Sequence, residues 1–235
     1  MGAVALLLLV RHGHSVANAN AVLAGWTEGV GLTERGREEV ARLAARMVDA
    51  EVRVARLVTS PLQRCRETSQ ILLPDATPEI VDDLGECHYG AWTGRPLAEL
   101  TSEPLWRTVQ DDPESARFPD SEEYAGESLA QMSSRVVAAL GRIDAEVEAE
   151  QGPDAVWVAV SHGDPIKAAL TDALGAGLRG LQRVHVDPAS VSVVRRTGER
   201  QMVLAVNSAG DAIRRHQKPS AVVPPGDATV GGGTG

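Results

Sequence analysis

Three short polar segments of this sequence carry residues that are suited to phosphate chemistry. Arg11-His12-Gly13 combines a fixed cation, an imidazole and a glycine that permits close backbone approach. Residues 60–64 (SPLQR) end in a second guanidinium, and residues 161–163 (SHG) contain a second imidazole. A transferred phosphoryl group spreads negative charge over three equatorial oxygens, which need fixed donors and nearby positive charge. Each segment alone is weak, because a lone Arg-His pair is more often a surface ion-pair site, and Arg64 is able to pair with Glu67 on a helix surface.

The elements that must position these segments repeat a strand, turn and helix pattern. Residues 4–10 (VALLLLV) and 155–160 form continuous apolar runs, and a further strand is predicted at residues 55–59. This repetition predicts an α/β fold with three α/β/α layers around a mainly parallel central sheet. Such sheets place their ligands beyond the carboxyl ends of the strands, so we expect the three polar segments to converge on one crevice.

Helices are predicted after each of these strands. Thr33 is the expected N-cap of the first, Pro61 lies in the first turn of a helix over residues 62–72, and Asp164-Pro165 caps and opens a third that ends near Leu174. The apolar face of the first helix consists of Val40, Leu43, Ala44 and Met47. A 3.6-residue period over residues 129–147 predicts a long helix, and residues 190–195 and 201–206 predict a hairpin around Thr197-Gly198.

The remaining stretches differ in composition from this core. Residues 99–127 contain three prolines and many acidic side chains, which predicts an insertion with short helices over the site. The Pro- and Gly-rich residues after His216 have little to bury. We therefore expect one domain over residues 1–216 and a disordered tail over residues 217–235.

Composition excludes several classes of function. The 235 residues carry 23 Lys and Arg against 32 Asp and Glu, a formal charge of -9, so the chain lacks the basic field that nucleic acid needs. The apolar run over residues 3–10 has no basic residue ahead of it and is far shorter than the ~20 residues that cross a bilayer, which disfavours a membrane span and secretion. Cys65 and Cys87 form no CxxC pair, which fits a reducing cytoplasm. They follow Arg64 and Glu86 directly, and we interpret them as unpaired thiols that lie near each other.

Five motifs occur in order along the chain, namely LVRHGHS (9–15), SPLQR (60–64), GECHYG (85–90), GES (126–128) and SHG (161–163). This succession resembles that of the histidine phosphatase superfamily, also called the phosphoglycerate mutase-like family. The resemblance covers about residues 4–206 and implies a phosphohistidine intermediate with no metal and no cofactor.

The resemblance also implies a role for individual residues. His12 matches the nucleophile and Glu86 the proton donor, while Arg11, Arg64 and His162 match the groups that hold the phosphoryl oxygens. The substrate pocket is expected to include Asn18, Gly25 and Gly163. Physical chemistry agrees with these roles, because a neutral imidazole attacks phosphorus directly and a carboxyl group near phosphate anions should have a raised pKa.

Several positions depart from the pattern of the family. His14 stands where an acidic residue commonly follows Arg-His-Gly, and Ala17 replaces a bulky aromatic residue of many mutases, so the shape and charge of the pocket should differ from the family's. Cys87 stands where mutases usually carry Arg, and between Glu99 and Glu127 nine acids outnumber two arginines, so an acidic lid should repel a second anionic group. Cys87 and the acidic lid favour hydrolysis of a small phosphorylated metabolite, a phosphomonoester with a neutral, apolar or cationic remainder.

Other interpretations stay open at this point. A phosphoglycerate mutase-type phosphotransferase and a noncatalytic binder of phosphorylated ligands both fit parts of the pattern. Trp26 and Trp92 either flank the substrate or belong to the core. The histidines and Glu86 offer metal ligands, but no HxxxH or HExxH spacing supports a metal site. Glu127 and Arg135 are interpreted as ion-pair support. The sequence does not distinguish a monomer from a homodimer.

Overall fold

The centre of the molecule is a six-stranded sheet. A computed structural model describes residues 5–152, 155–197 and 200–209. The strands are β1 (Leu6–Arg11), β2 (Val54–Thr59), β3 (Glu79–Ile80), β4 (Val156–Ser161), β5 (Val191–Thr197) and β6 (Arg200–Ser208). Their order is β3-β2-β4-β1-β5-β6, with parallel pairing from β3 to β1 and antiparallel pairing of β5 with both of its neighbours. The prediction of a mainly parallel sheet is confirmed.

Seven α-helices within the described residues connect or cover these strands. They are α1 (Val16–Ala19), α2 (Glu34–Asp49), α3 (Gln63–Leu72), α4 (Leu97–Leu100), α5 (Pro104–Asp111), α6 (Leu129–Gln151) and α7 (Gly163–Ala173). Thr33 caps α2 as predicted, because its side chain accepts a hydrogen bond from the Gly36 amide. The helix predicted over residues 62–72 is present as α3, but Pro61 lies before its N-cap Leu62 and not, as predicted, in its first turn. The prediction that Asp164 caps α7 is also wrong, because His162 is the N-cap and Asp164 lies in the first turn.

Two separate apolar clusters cover the two faces of the sheet. Successive side chains of a strand point to opposite faces, so Leu7 and Leu9 pack with residues of α6 and α7. Leu8 and Val10 pack on the other face with residues of α2 and α3. The continuous apolar run of β1 therefore reflects burial on both sides, and the predicted three-layer α/β/α architecture is confirmed.

The strand order brings the polar segments together. Because β4 lies between β2 and β1, the carboxyl ends of these three strands are neighbours at one edge of the sheet. Pairing continues into the loops, where the amide of His12 donates to the Ser161 carbonyl (3.0 Å) and that of Ser60 to the Val160 carbonyl (2.9 Å). These bonds fix the backbone of the polar segments relative to the sheet.

The acid-rich segment over residues 99–127 packs against the body of the domain. It contains α5, whose Trp106 and Val109 are buried, and Phe118, which contacts Trp92 edge-on at 5.3 Å between ring centroids. The hairpin of β5 and β6 is present, but Gly198 in its predicted turn lies outside the described residues. The predicted domain boundary at residue 216 and the tail over residues 217–235 also lie outside them. No helix in the described part of the chain is long and apolar enough to span a bilayer.

Candidate active site

A cleft opens at the carboxyl edge of the sheet. Its lining includes six of the residues that the sequence singles out, namely Arg11, His12, Asn18, Gly25, Arg64 and Glu86. They come from the end of β1, the region around α1, the first turn of α3 and the segment after β3. The two other predicted residues, His162 and Gly163, are buried and are not among those that line the cleft. The ring centroid of His162 lies 5.2 Å from that of His12.

The ring of His12 is held in one tautomer. Its Nδ1 lies 2.8 Å from the carbonyl oxygen of Gly13, and because a carbonyl only accepts hydrogen bonds, Nδ1 carries the proton. Nε2 therefore bears the lone pair. Burial lowers the pKa of His12 well below its ordinary value, and the charges of Arg64 and Arg11 lower it further. The imidazole is consequently neutral at neutral pH, which is the state that a nucleophile requires.

Gly13 is required by the close approach of α2 to the loop that carries His12. A Cβ atom at this position would meet the carbonyl oxygen of Gly36 at 2.7 Å and Cγ2 of Val40 at 2.8 Å. The first turn of α2 thus contacts the loop backbone directly. This packing holds the carbonyl of Gly13 where it accepts the hydrogen bond from His12.

Two buried guanidinium groups flank His12. Arg64 donates from Nη2 to the carbonyl of Gly25 at 2.9 Å, and Arg11 donates from Nη1 to the carbonyl of Val186. Within the described residues, Nη1 of Arg64 is buried without a hydrogen-bond partner, and no carboxylate forms an ion pair with this side chain. Burial lowers the pKa of both groups, yet guanidinium stays charged in proteins. A buried cation with an unsatisfied donor favours an anionic ligand.

His162 is engaged by side chains behind the cleft. Its Nε2 lies 2.7 Å from Oγ of Ser60 and 3.4 Å from Sγ of Cys65. Burial lowers its pKa well below the ordinary value, and the Arg64 charge adds to this effect. The resemblance implies that His162 holds a phosphoryl oxygen. To contact a phosphoryl oxygen through Nε2, His162 has to give up its hydrogen bond with Ser60. The sequence did not predict this hydrogen bond.

The backbone carbonyl of Glu86 is held by two side-chain donors. Its carbonyl accepts hydrogen bonds from Nε1 of Trp26 (2.7 Å) and Nη2 of Arg135 (2.9 Å), while its Oε1 accepts from the amide of Cys87 (3.0 Å). Burial is the largest cause that raises the pKa of Glu86, and the nearby charge of Asp164 is the second; together they raise it to about 7. The raised pKa was expected from a neighbouring phosphate, but the protein produces it by its own burial and charge.

A buried polar network lies beside Glu86 and was missed by sequence reasoning. The carboxylate of Asp164 accepts from the hydroxyl of Tyr89 (2.7 Å) and from Nζ of Lys167 (3.1 Å), and Lys167 also donates to Gln182. Asp164 and Lys167 are both almost completely buried. The one signal of this network in the sequence is the position of Asp164 directly after the SHG motif, but that position predicts a helix cap.

The predicted ion pair between Glu127 and Arg135 is present, with an N–O distance of 2.6 Å. Arg135 also donates to the carbonyls of Asp83 and Gly85. The guanidinium therefore fixes the segment that carries Glu86, since it donates to three carbonyls of this segment and is itself held by a carboxylate.

Several other sequence expectations concern residues around the cleft. Trp92 belongs to the core, and Trp26 stacks on His88 with 4.4 Å between ring centroids, so neither tryptophan is among the cleft-lining residues. His14 contacts Oγ1 of Thr33 through Nδ1 at 3.0 Å. No residue of the acid-rich segment 99–127 lines the cleft.

The two cysteines are free and buried. Burial raises the pKa of Cys65 to about 12 and that of Cys87 well above its ordinary value, so both stay protonated thiols at neutral pH. In the part of the chain that the structure describes, no group of three or more His, Cys, Asp or Glu side chains is arranged to hold a metal ion.

Comparison with known proteins adds sequence relatives. The profile of the histidine phosphatase superfamily (branch 1) matches residues 7–209. A bifunctional protein of Mycobacterium tuberculosis is 34% identical over 193 residues, which cover 80% of this chain and 49% of that protein. The chain thus spans about half the length of this relative. A probable phosphoglycerate mutase of Yersinia enterocolitica is 31% identical over 192 residues, which cover 80% of this chain and 83% of that protein.

Solved structures share the fold. A phosphoserine phosphatase mutant from Entamoeba histolytica, in complex with phosphoserine, superposes with a TM-score of 0.75 at 19% sequence identity. The superposition covers 88% of this chain and 99% of that chain. At this level of identity the likeness concerns the fold alone.

Proposed function

This chain belongs to the histidine phosphatase superfamily, and from that premise we propose that it hydrolyses phosphomonoesters through a phosphohistidine on His12. One observation carries the proposal: the neutral imidazole of His12, with its lone pair on Nε2, lines a cleft beside a buried Arg64 whose Nη1 lacks a partner among the described residues. A nucleophile and a binding site for the charge of a phosphoryl group are thereby adjacent.

In the first half-reaction, Nε2 of His12 attacks phosphorus. The N–P bond forms, the P–O ester bond breaks, and Glu86 transfers its proton to the leaving alkoxide oxygen. Arg11 and Arg64 bind the equatorial oxygens, whose negative charge grows in the transition state. With a pKa of about 7, Glu86 is protonated in a large fraction of molecules at neutral pH, which suits a general acid.

In the second half-reaction, a water molecule attacks the phosphohistidine. Glu86, now ionised, takes a proton from this water while the O–P bond forms and the N–P bond breaks. Inorganic phosphate leaves, and both His12 and Glu86 return to their starting protonation states. Only side chains of this chain take part, so we expect hydrolysis to persist in the presence of a chelator. We also expect vanadate to inhibit it as a transition-state analogue.

The test is chemical detection of the intermediate. Brief incubation with a 32P-labelled phosphomonoester should give an acid-labile, alkali-stable labelled protein. His12→Asn should give none, whereas His185→Asn, which alters a half-exposed histidine away from the cleft lining, should label normally. Normal turnover by the His12→Asn protein would refute the proposal. Tight binding of phosphate esters without labelling of the unaltered protein would instead identify a noncatalytic binder.

A phosphoglycerate mutase-type phosphotransferase is the second candidate. The observation that favours it is the 31% identity to the probable phosphoglycerate mutase of Yersinia enterocolitica. A mutase transfers the phosphoryl group between hydroxyls of 3-phosphoglycerate and is stimulated by the bisphosphate, whereas a phosphatase releases inorganic phosphate. A coupled assay for 2-phosphoglycerate, run beside a phosphate-release assay, separates the two activities.

The partner that we infer is a small phosphorylated metabolite. The related fold of the Entamoeba histolytica enzyme holds phosphoserine, which supports a substrate of this size. The cytoplasmic location remains a prediction from cysteine usage and composition.

A further inference from the structure

The cleft-lining residues that are not assigned to phosphoryl transfer include the polar Ser15, Asn18 and Tyr89, of which Ser15 donates to Asn18 (2.8 Å) and Tyr89 to Asp164 (2.7 Å). The other side chains in this part of the cleft are aliphatic. They come from α1, from the loop that follows it and from the first residue of α4. We call this surface the aliphatic wall, and its members are Ala17, Val22, Leu23, Ala24 and Leu97. Leu23 is 3% exposed, whereas Val22 and Leu97 are half-buried and thus accessible to a ligand in the cleft.

Backbone hydrogen bonds hold the wall in a fixed shape. Leu23 donates to the Arg95 carbonyl (3.0 Å) and accepts from the Gly94 amide (2.8 Å), while Leu97 donates to the Ala21 carbonyl (2.9 Å). Ala21 has a φ of 51°, in the left-handed region that residues other than glycine rarely occupy. Such a conformation persists only where the surrounding structure imposes it, and it is common beside ligand sites. The wall is therefore formed before any ligand binds.

The wall offers no charge to a ligand. Among the described residues that line the cleft, the lysines and arginines are limited to Arg11 and Arg64, and the carboxylates to Glu86. All three are already assigned to the phosphoryl group and its leaving oxygen. Arg95 lies nearby in sequence, but its side chain pairs with Glu103 at 2.9 Å and with Glu99 at 3.8 Å.

We propose that the aliphatic wall restricts the substrate to phosphomonoesters whose alcohol part is uncharged and apolar. This inference rests on the proposed phosphatase function and narrows it, because the sequence alone also allowed a cationic remainder. A second carboxylate or phosphate on the substrate would lose its hydration against the wall without gaining a counter-ion, and a cationic group would gain no carboxylate. An alkyl chain would instead be removed from water.

The first experiment compares substrates of equal length. For the unaltered protein, kcat/KM for n-butyl phosphate should exceed that for 4-(phosphonooxy)butanoate by on the order of 10- to 100-fold, the usual cost of an unpaired charged or polar group. Along ethyl, propyl and butyl phosphate, kcat/KM should rise by up to about fourfold for each methylene that contacts the wall. A butyl-to-carboxylate ratio near one would overturn the proposal.

The second experiment places a charge in the wall. Leu97→Lys and Val22→Lys should each lower the ratio on the order of tenfold, because an ammonium group then pairs with the carboxylate. Leu97→Met, which keeps the wall apolar, is the matched control and should leave the ratio unchanged. The proposal would also be overturned if both lysine variants hydrolyse butyl phosphate but keep the butyl-to-carboxylate ratio of kcat/KM that the unaltered protein has.

Binding separates this inference from the proposed reaction. The dissociation constants of the two four-carbon esters are measured by calorimetry on the His12→Asn protein, which should not turn them over. If the unaltered protein hydrolyses neither ester but binding still prefers the butyl compound on the order of tenfold, the phosphatase proposal fails and the selectivity of the wall stands. If hydrolysis occurs but neither binding nor kcat/KM distinguishes the esters, the selectivity fails and the reaction stands.

Discussion

Replacing Glu86 with glutamine should change the pH dependence of stability as well as activity. Burial and the charge of Asp164 raise the pKa of Glu86 from an ordinary value of 4.5 to about 7. Below pH 4.5 the carboxyl is protonated in both the folded and the unfolded chain, so it exerts no pH-dependent effect. Between pH 4.5 and 7 the unfolded chain releases the proton while the folded chain retains it, and the free energy of unfolding falls as the pH rises.

The size of this effect follows from the difference between the two pKa values. An ordinary value of 4.5 and a folded value of about 7 correspond to about 3 kcal/mol of destabilisation above pH 7. Glutamine has nearly the same shape and carries no charge. Relative to the unaltered protein, Glu86→Gln should therefore gain about 2–3 kcal/mol in free energy of unfolding between pH 5 and pH 8.

Urea denaturation at closely spaced pH values measures this gain. The buffers must contain no phosphate, because an anion in the cleft would itself alter the ionisation of Glu86. Glu38→Gln is the control for the substitution itself, since the side chain of Glu38 is 62% exposed on α2. If the stability difference for Glu86→Gln stays constant within about 0.5 kcal/mol from pH 5 to pH 8, a carboxyl with a raised pKa is excluded.

Four further outcomes are expected. Glu86→Gln should lower kcat/KM on n-butyl phosphate by about 10²- to 10⁴-fold, but much less on 2,4-dinitrophenyl phosphate, whose leaving group needs no proton; equal losses in kcat/KM on both would refute its role as general acid. Asp164→Asn should move the alkaline fall of kcat/KM to lower pH, because loss of the negative charge lowers the pKa of Glu86, and an unchanged pH profile would contradict this cause. Arg64→Lys should lower kcat by about 10²- to 10³-fold and weaken vanadate inhibition, since a point charge replaces a planar donor; full activity would argue against phosphoryl binding. Gly13→Ala should cost about 1–3 kcal/mol in urea denaturation, because its Cβ would meet the Gly36 carbonyl oxygen at 2.7 Å, and normal stability would show that α2 moves aside.

The sequence by itself predicted the fold class and most of the elements. A strand buried on both faces must be apolar along its whole length, as residues 4–10 are, and a helix on the sheet must repeat apolar residues every three or four positions, as α6 does. Both patterns are local, so they are readable without coordinates. The motifs after the strands also predicted a shared crevice, because parallel strands end at the same edge. The positions predicted for Pro61 in the first turn of α3 and for Asp164 as the cap of α7 were wrong, since capping depends on backbone angles that nearby residue types only favour.

Only the tertiary structure decided which residues line the cleft together and how their surroundings change their pKa values and hydrogen bonds. Leu97 and Val22 both line the cleft because backbone pairing joins two segments that lie far apart in sequence, and no periodicity marks such pairing. The pKa of Glu86 depends on burial and on Asp164, 78 positions further along the chain, and the hydrogen bond between Ser60 and His162 joins the ends of two different strands. Residue types determine which chemistry is available, whereas desolvation and charge act through distances in space, which the chain acquires only when it folds.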